Sequence, residues 1–375
     1  MRKNYNAEGG GSPLLIRKIT VRRVKMITIE HGHYRVLIDD PTVYVDNEKR
    51  KRSGHMTHAM TEFAPGTFID FNANCSPTRC GGHSVYGWVE YRISRDAGKT
   101  YSEPRDFPYS VESFLEGNWT ISVEKAVTAP DGSIVALCLR NTMLEEVCCE
   151  PWLTPMCVRS EDGGETWGEP YECIPYRGRI YDAAVHDGVI YAMIFCNEHF
   201  LGTSPEHVYR VYASHDCGKS FQELSVVPWP DTTRRGYCSM IFDPKGVLHV
   251  YAYNEAKERE MDHAVSDDCG KTWKVTEPCY VAKGIRNPQT ALIDGVFILH
   301  GRGENGRDFV CYSSEDAVHW DEGVYLGRKD GGCYYSNNIN LRDEEGDFLL
   351  IQYSDLYDGW ARVNTMHRIL RVERR

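Results

Sequence analysis

The sequence predicts an all-β protein, a six-bladed β-propeller of four-stranded antiparallel blades, on three observations. An octapeptide of the form Ser-x-Asp-x-Gly-x-Thr/Ser-aromatic is written four times: "SRDAGKTY" at Ser94, "SEDGGETW" at Ser160, "SHDCGKSF" at Ser214 and "SDDCGKTW" at Ser266. A glycine-led, strand-like opening recurs six times, at Gly54, Gly117, Gly178, Gly236, Gly284 and Gly332. Each opening leads to a glycine turn and then to a second apolar strand.

The turns are Gly66, Gly132, Gly188, Gly246, Gly295 and Gly346, and the second strands follow directly: "TFIDFNA", "SIVALCL", "VIYAMIF", "VLHVYAY", "VFILHGR" and "DFLLIQY". They alternate or run apolar, as half-buried strands do. A fifth, degenerate octapeptide, "SSEDAVHW", starts at Ser313, with Glu315 in place of the Asp and Ala317 in place of the Gly. The starts lie 66, 54, 52 and 47 residues apart, too irregular for a solenoid but suited to blades with loops of different length. The sixth unit has no octapeptide after it. A strand at Tyr34–Ile38, "YRVLI", is expected to complete that sheet and close the ring, leaving only short, protected edges. Residues 1–25, with the run from Gly9 to Ser12, read as a flexible lead-in, and 26–375 as one propeller domain.

With 41% hydrophobic and 11% aromatic residues the chain can build a large core. A formal charge of −11 and no long basic run argue against nucleic acid or an anionic membrane as partner. No apolar run reaches the length of a transmembrane helix, and the N-terminus lacks the apolar core of a signal peptide. Fourteen cysteines without an export signal point to reduced thiols and a cytoplasmic location.

Physically, the octapeptide is a self-sufficient turn. Its Ser and Asp bond nearby backbone N–H groups, its Gly takes a positive φ, and its aromatic (Trp167 or Trp273, for instance) locks the hairpin. One turn repeated around a ring cannot converge on one site, so scaffold is preferred over Ca²⁺ binding or acid catalysis by Asp162 or Asp268. These octapeptides are also the Asp boxes of the sialidase (neuraminidase) superfamily, which this chain resembles from about Gly54 to Asp355. The resemblance implies a six-bladed propeller; it says less about activity, because lyases, other glycosidases and non-catalytic proteins carry the same boxes.

In such a blade the boxes lie between strands 3 and 4, so a site belongs on the other face, among the openings and the long loops after each second strand. Sialidases use a Tyr nucleophile paired with a Glu, an Asp acid/base and three carboxylate-binding Arg. "GCYYSNN" resembles the nucleophile segment and places Tyr335 on its Tyr; "RDFVCYSS" resembles the third-Arg segment and places Arg307 on its Arg. Elsewhere the sequence departs from that pattern. Tyr237 of "GYCSM" stands nearest the expected Glu, Glu255 of "NEAKE" near an expected Arg, and "HMTHA" brings His55 and His58 in place of another Arg. His83 of "CGGHS" falls near the expected Asp.

From the residues themselves, Tyr335, Tyr181 and Tyr237 sit at openings that reach the axis, where they line a site or simply pack. His58 and His83 have side chains suited to proton transfer, or are loop histidines bonded to backbone. Asp182 and Glu255 are the carboxylates best placed for a two-carboxylate mechanism. Arg179, Arg286, Arg302 and Arg307, on the same face, suit an anionic group as a cluster, though each could be a salt bridge between blades. Trp119 and Trp360 could stack on a sugar or fill the core. Cys75, Cys80 and His83, with Cys148 and Cys149 in the next loop, have irregular spacing for Zn²⁺, and no metal or other cofactor is expected. The leading expectation is an exo-acting glycoside hydrolase that removes a terminal, acidic sugar from an oligosaccharide. Tyr335, Asp182, Glu255, His83 and His58 would be its catalytic groups; Arg179, Arg286, Arg302, Arg307, Tyr181, Tyr237 and Trp119 would bind substrate. A uronate lyase using His or Tyr, and a non-catalytic glycan-binding propeller, are the alternatives.

Overall fold

The computed structural model describes residues 26–79, 85–143, 153–196, 207–328, 334–359 and 361–375. The lead-in at 1–25, Gly332, Cys80, His83, Cys148, Cys149 and Trp360 lie outside the described residues.

Six antiparallel sheets follow one another along the chain. The first is Met60–Ala64, Thr67–Cys75, Gly87–Ser94 and Arg105–Asp106. The second is Trp119–Thr128, Ile134–Thr142, Met156–Ser160 and Tyr171–Glu172, and the third Gly178–His186, Val189–Cys196, Val208–Ser214 and Gln222–Val226. The fourth is Arg235–Phe242, Leu248–Asn254, Glu260–Ser266 and Lys274–Val275, with Cys279–Tyr280 as an extra strand against Glu260–Ser266. The fifth is Arg286–Ile293, Val296–Arg302, Asp308–Ser314 and Val324–Arg328. The sixth begins with Ser336–Asp343, Gly346–Asp358 and Arg362–Arg374, and the chain's start completes it: Tyr34–Ile38 pairs with Arg362–Arg374 in the register Val36↔Val372.

Closure therefore uses the strand expected from the sequence. Two more join it, Ile27–Glu30 on the outer edge and Thr42–Val45 against Arg362–Arg374. Each of the six turn glycines has a positive φ, from +67° at Gly66 to +120° at Gly346, where a side chain would be strained. The second strands are flanked by neighbouring blades on both faces. Every residue of Thr67–Cys75 and of Leu248–Asn254 is buried, which explains their apolar runs.

The boxes do more than close hairpins. In the second, Ser160 Oγ bonds Asp162 Oδ1 at 2.9 Å and accepts from Gly164 N at 2.8 Å, while Asp162 accepts from Thr166 N at 2.8 Å and Thr166 Oγ1 at 2.5 Å. Its Gly164 carbonyl accepts from Tyr91 of the first blade at 2.9 Å, and Trp167 stands edge-on to Phe107 at 4.9 Å and packs on Phe71 and Tyr91. The same staple joins Tyr171 to Gly218, Ser225 to Gly270 and Tyr251 to Ala317. Trp167 and Trp273 thus fasten a blade to the one before it, rather than only locking their own hairpin as expected; Trp273 Nε1 donates to Ser225 of the preceding blade at 2.7 Å. The fifth box also corrects the sequence register. Ser314 and Asp316, not Ser313 and Glu315, make its turn, with Ala317 at φ +64°.

Candidate functional site

The innermost strands of the six blades surround an axis, and four of them are irregular at the same level. Bulges fall between Val123 and Lys125, Ile180 and Asp182, Arg235 and Cys238, and Arg286 and Gln289. A bulge adds an unpaired residue and re-aims its side chain. The residues added here are Glu124, Tyr181, Gly236 with Tyr237, and Asn287 with Pro288. Asn287 is held at φ +52°.

These residues meet beside Tyr335. The Tyr237 and Tyr335 hydroxyls are 3.3 Å apart, and His55 stands edge-on to the Tyr335 ring at 5.2 Å. The Arg302 guanidinium lies 5.4 Å from the same ring centroid. Arg179, wholly buried, donates from Nε to Glu124 at 3.1 Å and from Nη2 to the same carboxylate, and its guanidinium lies 5.3 and 5.2 Å from the Tyr181 and Tyr237 rings. Burial works against the charge of Arg179, but Glu124 and the surrounding tyrosines outweigh it and raise its pKa. Burial pushes the Tyr181 hydroxyl up, and Asn287 Nδ2 donates to it at 3.2 Å.

Met56, Thr57, His58, Val123, Glu124, Arg179, Tyr181, Gln289, Tyr335, Ser336 and Asn337 enclose a cavity of about 20 Å³, room for about one water. Two buried nitrogens on its walls, His58 Nε2 and Arg179 Nη1, have no hydrogen-bond partner among the described residues. His58 Nδ1 is 2.8 Å from Gln352 Oε1, and burial pushes the imidazole down to about 3, so His58 is neutral.

A buried ion pair joins the second and third blades. Lys125 Nζ lies 2.8 Å from Asp182 Oδ1, 3.2 Å from Gln289 Oε1 and 2.8 Å from Asn337 Oδ1. Asp182 also accepts from Ala183 N, Ser239 Oγ and Met240 N at 2.7–2.9 Å. Beyond it a wider mouth, lined by Thr61, Val185, Phe242, Leu292 and Ile339, opens among the inner strands' far ends.

The structure therefore brings together Tyr335, Tyr237, Tyr181, Arg179, Arg302 and His58 among the predicted site residues. It does not bring Asp182 to Glu255. Asp182 is saturated in the axial ion pair, whereas Glu255 lies on the outer rim with Arg234 at 3.4 Å and Arg286 at 3.7 Å. The predicted arginines form a row rather than one cluster, with Arg286 the cross-strand partner of Arg302. Arg179 and Arg302 stand at Tyr335; Arg286, tied to Glu255 and Glu258, shares a charged rim pocket with the exposed Arg307. Trp119 packs into the apolar cluster of the first two blades with the Arg140 guanidinium 5.6 Å from its ring. Cys75 is buried and directed at the His55 carbonyl, 3.4 Å away.

Sequence reasoning missed Glu124, Lys125, Gln289, Asn337 and Gln352. A signal for the first two was present: adjacent opposite charges inside the otherwise apolar inner strand "TISVEKAVT", where each buried charge needs a partner. The bulge sends Glu124 to Arg179 and leaves Lys125 on the axis.

No family model matches the sequence, and no curated protein matches it. Among solved structures, a protein of unknown function from Dyadobacter fermentans DSM 18053 is similar with a TM-score of 0.69 at 16% identity, over 90% of this chain and 99% of that one. The Hadza microbial sialidase Hz136 is similar with a TM-score of 0.64 at 13% identity, over 88% of this chain and 68% of its own. The α-L-arabinanase of Penicillium chrysogenum, complexed with arabinobiose, gives 0.56 at 12% identity, over 88% of this chain and 98% of its own. Six closed blades together with these likenesses make the chain a six-bladed β-propeller of the sialidase-like fold.

Proposed function

We propose that the protein is an exo-acting glycoside hydrolase whose reaction centre is Tyr335. The observation that carries this reading is the shared cavity of Tyr335, Glu124 and Arg179 on the axis, beside Tyr237. A free tyrosine hydroxyl, of pKa near 10, is a weak nucleophile at neutral pH and needs a neighbouring base or cation. Glu124 supplies a carboxylate from the second blade, in place of the one the sequence lacks at Tyr237. Arg302 supplies a cation over the ring.

In this scheme Tyr335 Oη passes its proton to the Glu124 carboxylate and attacks the anomeric carbon, while the glycosidic C–O bond breaks and the departing oxygen takes a proton from the acid. Water then gives a proton back to that acid and its oxygen to the anomeric carbon, the tyrosyl–sugar bond breaks and Tyr335 recovers its proton from Glu124, so one water is consumed overall. His83, outside the described residues, is our choice for the proton donor. We take the Lys125–Asp182 pair, which bonds the cavity residues Gln289 and Asn337, to block the axis behind the site, which favours the end of a chain over its middle. Arg302 is the group we assign to an acidic substituent. The structural neighbours that are glycosidases support a sugar as substrate. The ten described cysteines are free thiols, in keeping with the cytoplasm, where we place the protein.

The neutral, unpartnered Nε2 of His58 favours a second reading, elimination on a uronate with His58 as base. Incubation with sialylated, uronate-containing and neutral oligosaccharides in ¹⁸O-water separates the two. Uptake of one labelled oxygen per cleavage is the expected result. A rise in ultraviolet absorbance without uptake of label would replace hydrolysis by elimination, and silence across the panel would count against both.

A further inference from the structure

Behind His58 runs a buried polar chain through the first and sixth blades. His58 Nδ1 is 2.8 Å from Gln352 Oε1, and Gln352 Nε2 donates to Asp70 Oδ1. Asp70 Oδ2 is 3.0 Å from His367 Nε2, and His367 Nδ1 is 3.2 Å from the Tyr101 hydroxyl. Tyr101 is the aromatic of the first Asp box, so the chain joins the pocket to the scaffold. Asp70, Gln352 and His58 are all buried, and burial raises the Asp70 carboxyl while His367, Gln352 and the Arg92 charge lower it.

The directions of these bonds follow from Gln352. Its NH₂ donates to Asp70, which turns its carbonyl oxygen to His58. A carbonyl oxygen only accepts, so His58 Nδ1 carries the proton. A neutral imidazole has one N–H, which leaves a lone pair on Nε2. Arg179 Nη1, on the wall of the same cavity, can only donate.

We propose that Asp70 and Gln352 are positioning residues that hold His58 as its Nδ1–H tautomer, and that His58 Nε2 and Arg179 Nη1 form a subsite for one hydroxyl group. A hydroxyl accepts from Arg179 and donates to His58, and a water of the same shape fits the 20 Å³ space. A substrate carboxylate placed there would set its lone pairs against that of Nε2. The acidic substituent therefore belongs at Arg302, and the group at the pocket floor is a neutral sugar hydroxyl. This subsite assignment rests on the glycosidase reading, but the tautomer does not.

The test is ¹⁵N NMR of the full-length protein labelled at histidine, with His58 assigned by His58→Gln. At neutral pH the expected signal is an Nδ1–H imidazole in about tenfold excess or more, the ratio that one unpaired buried acceptor enforces. In Gln352→Met, which removes that acceptor, the excess should disappear. An Nε2–H tautomer or an imidazolium in the unmodified protein would overturn the proposal, and this needs no substrate and no variant beyond the one used for assignment. For the subsite, methyl glycosides of neutral hexoses and of the matching uronates serve as probes. A bound glycoside that keeps Nε2 as acceptor agrees with a hydroxyl there. One that binds with Nε2 protonated overturns it.

Discussion

Replacing Lys125 by Met tests how the axis is held together. The Lys125 ammonium has three N–H donors and three acceptors in reach: Asp182 from the third blade, Gln289 from the fifth and Asn337 from the sixth. Asp182 in turn takes two bonds from the fourth blade, so five blades meet in one network. Met keeps most of the side-chain volume and removes the charge. Asp182, almost wholly buried, is left without a cation, and two amide oxygens lose a donor. Breaking a buried pair in this way costs about 3–5 kcal/mol. An unfolding entropy of about 2.1 cal/mol/K per residue over roughly 350 residues is about 0.7 kcal/mol/K, so Tm should fall by about 4–7 °C. Urea unfolding of Lys125→Met, Asp182→Asn and the double variant gives the cycle. The double variant should recover most of the loss, because it buries no unpaired charge. A single-variant loss below about 1 kcal/mol, or losses that simply add, would refute the view that this pair is buried and coupled.

Gly218 of the third box has φ +80°, and an added Cβ would lie 2.8 and 3.0 Å from the Val135 methyls of the second blade. Gly218→Ala should therefore cost about 2–3 kcal/mol in urea unfolding and leave turnover unchanged, since the box lies on the face away from Tyr335. Glu124→Gln should lower kcat far more than it raises KM; equal changes in both would remove Glu124 from the chemistry. The pH dependence of stability has a definite sign. Burial lowers His58, His263 and His300 from 6.5 to about 3, so their stabilisation is complete above 6.5 and is lost as pH falls towards 3, at roughly 1.4 kcal/mol per unit for each. The box carboxylates Asp162, Asp216, Asp268 and Asp316, held at about 2 and bonded within their turns, add a further loss as pH falls from 4 towards 2. A urea midpoint that does not move between pH 7.5 and 5 would contradict the histidine values.

The blades were legible because their signals are local. A turn glycine with positive φ, an apolar run behind it and a Ser/Asp box each announce themselves within ten residues, and Tyr34–Ile38 was recognisable as the strand needed to close the ring. The fifth box was misread by one residue because "SSEDAVHW" offers two overlapping Ser-x-acid frames, and only the bonds from Asp316 to Val318 and His319 choose between them. The site was half legible. Tyr335, Tyr237, Tyr181 and Arg179 stand at openings, which any propeller directs to its axis. Glu124 was missed because a bulge, invisible in the spacing, turns it out of strand register. Asp182 was given a catalytic role because its partner, Lys125, lies 57 residues away on another blade. Arg286 pairs across the strands with Arg302, but the fourth blade's Glu255 and Glu258 already engage its charge, which face alone did not reveal.

Turnover by Tyr335→Phe is the direct test of a reaction centre at the axis. The substitution removes one oxygen and keeps the ring between His55 and Arg302. Measured on the best substrate from the oligosaccharide panel, with Tm recorded alongside, kcat/KM should fall by about a thousandfold or more while Tm moves by no more than about 2 °C. A variant that keeps its fold and cleaves within a factor of about ten of the unmodified protein would place the chemistry elsewhere.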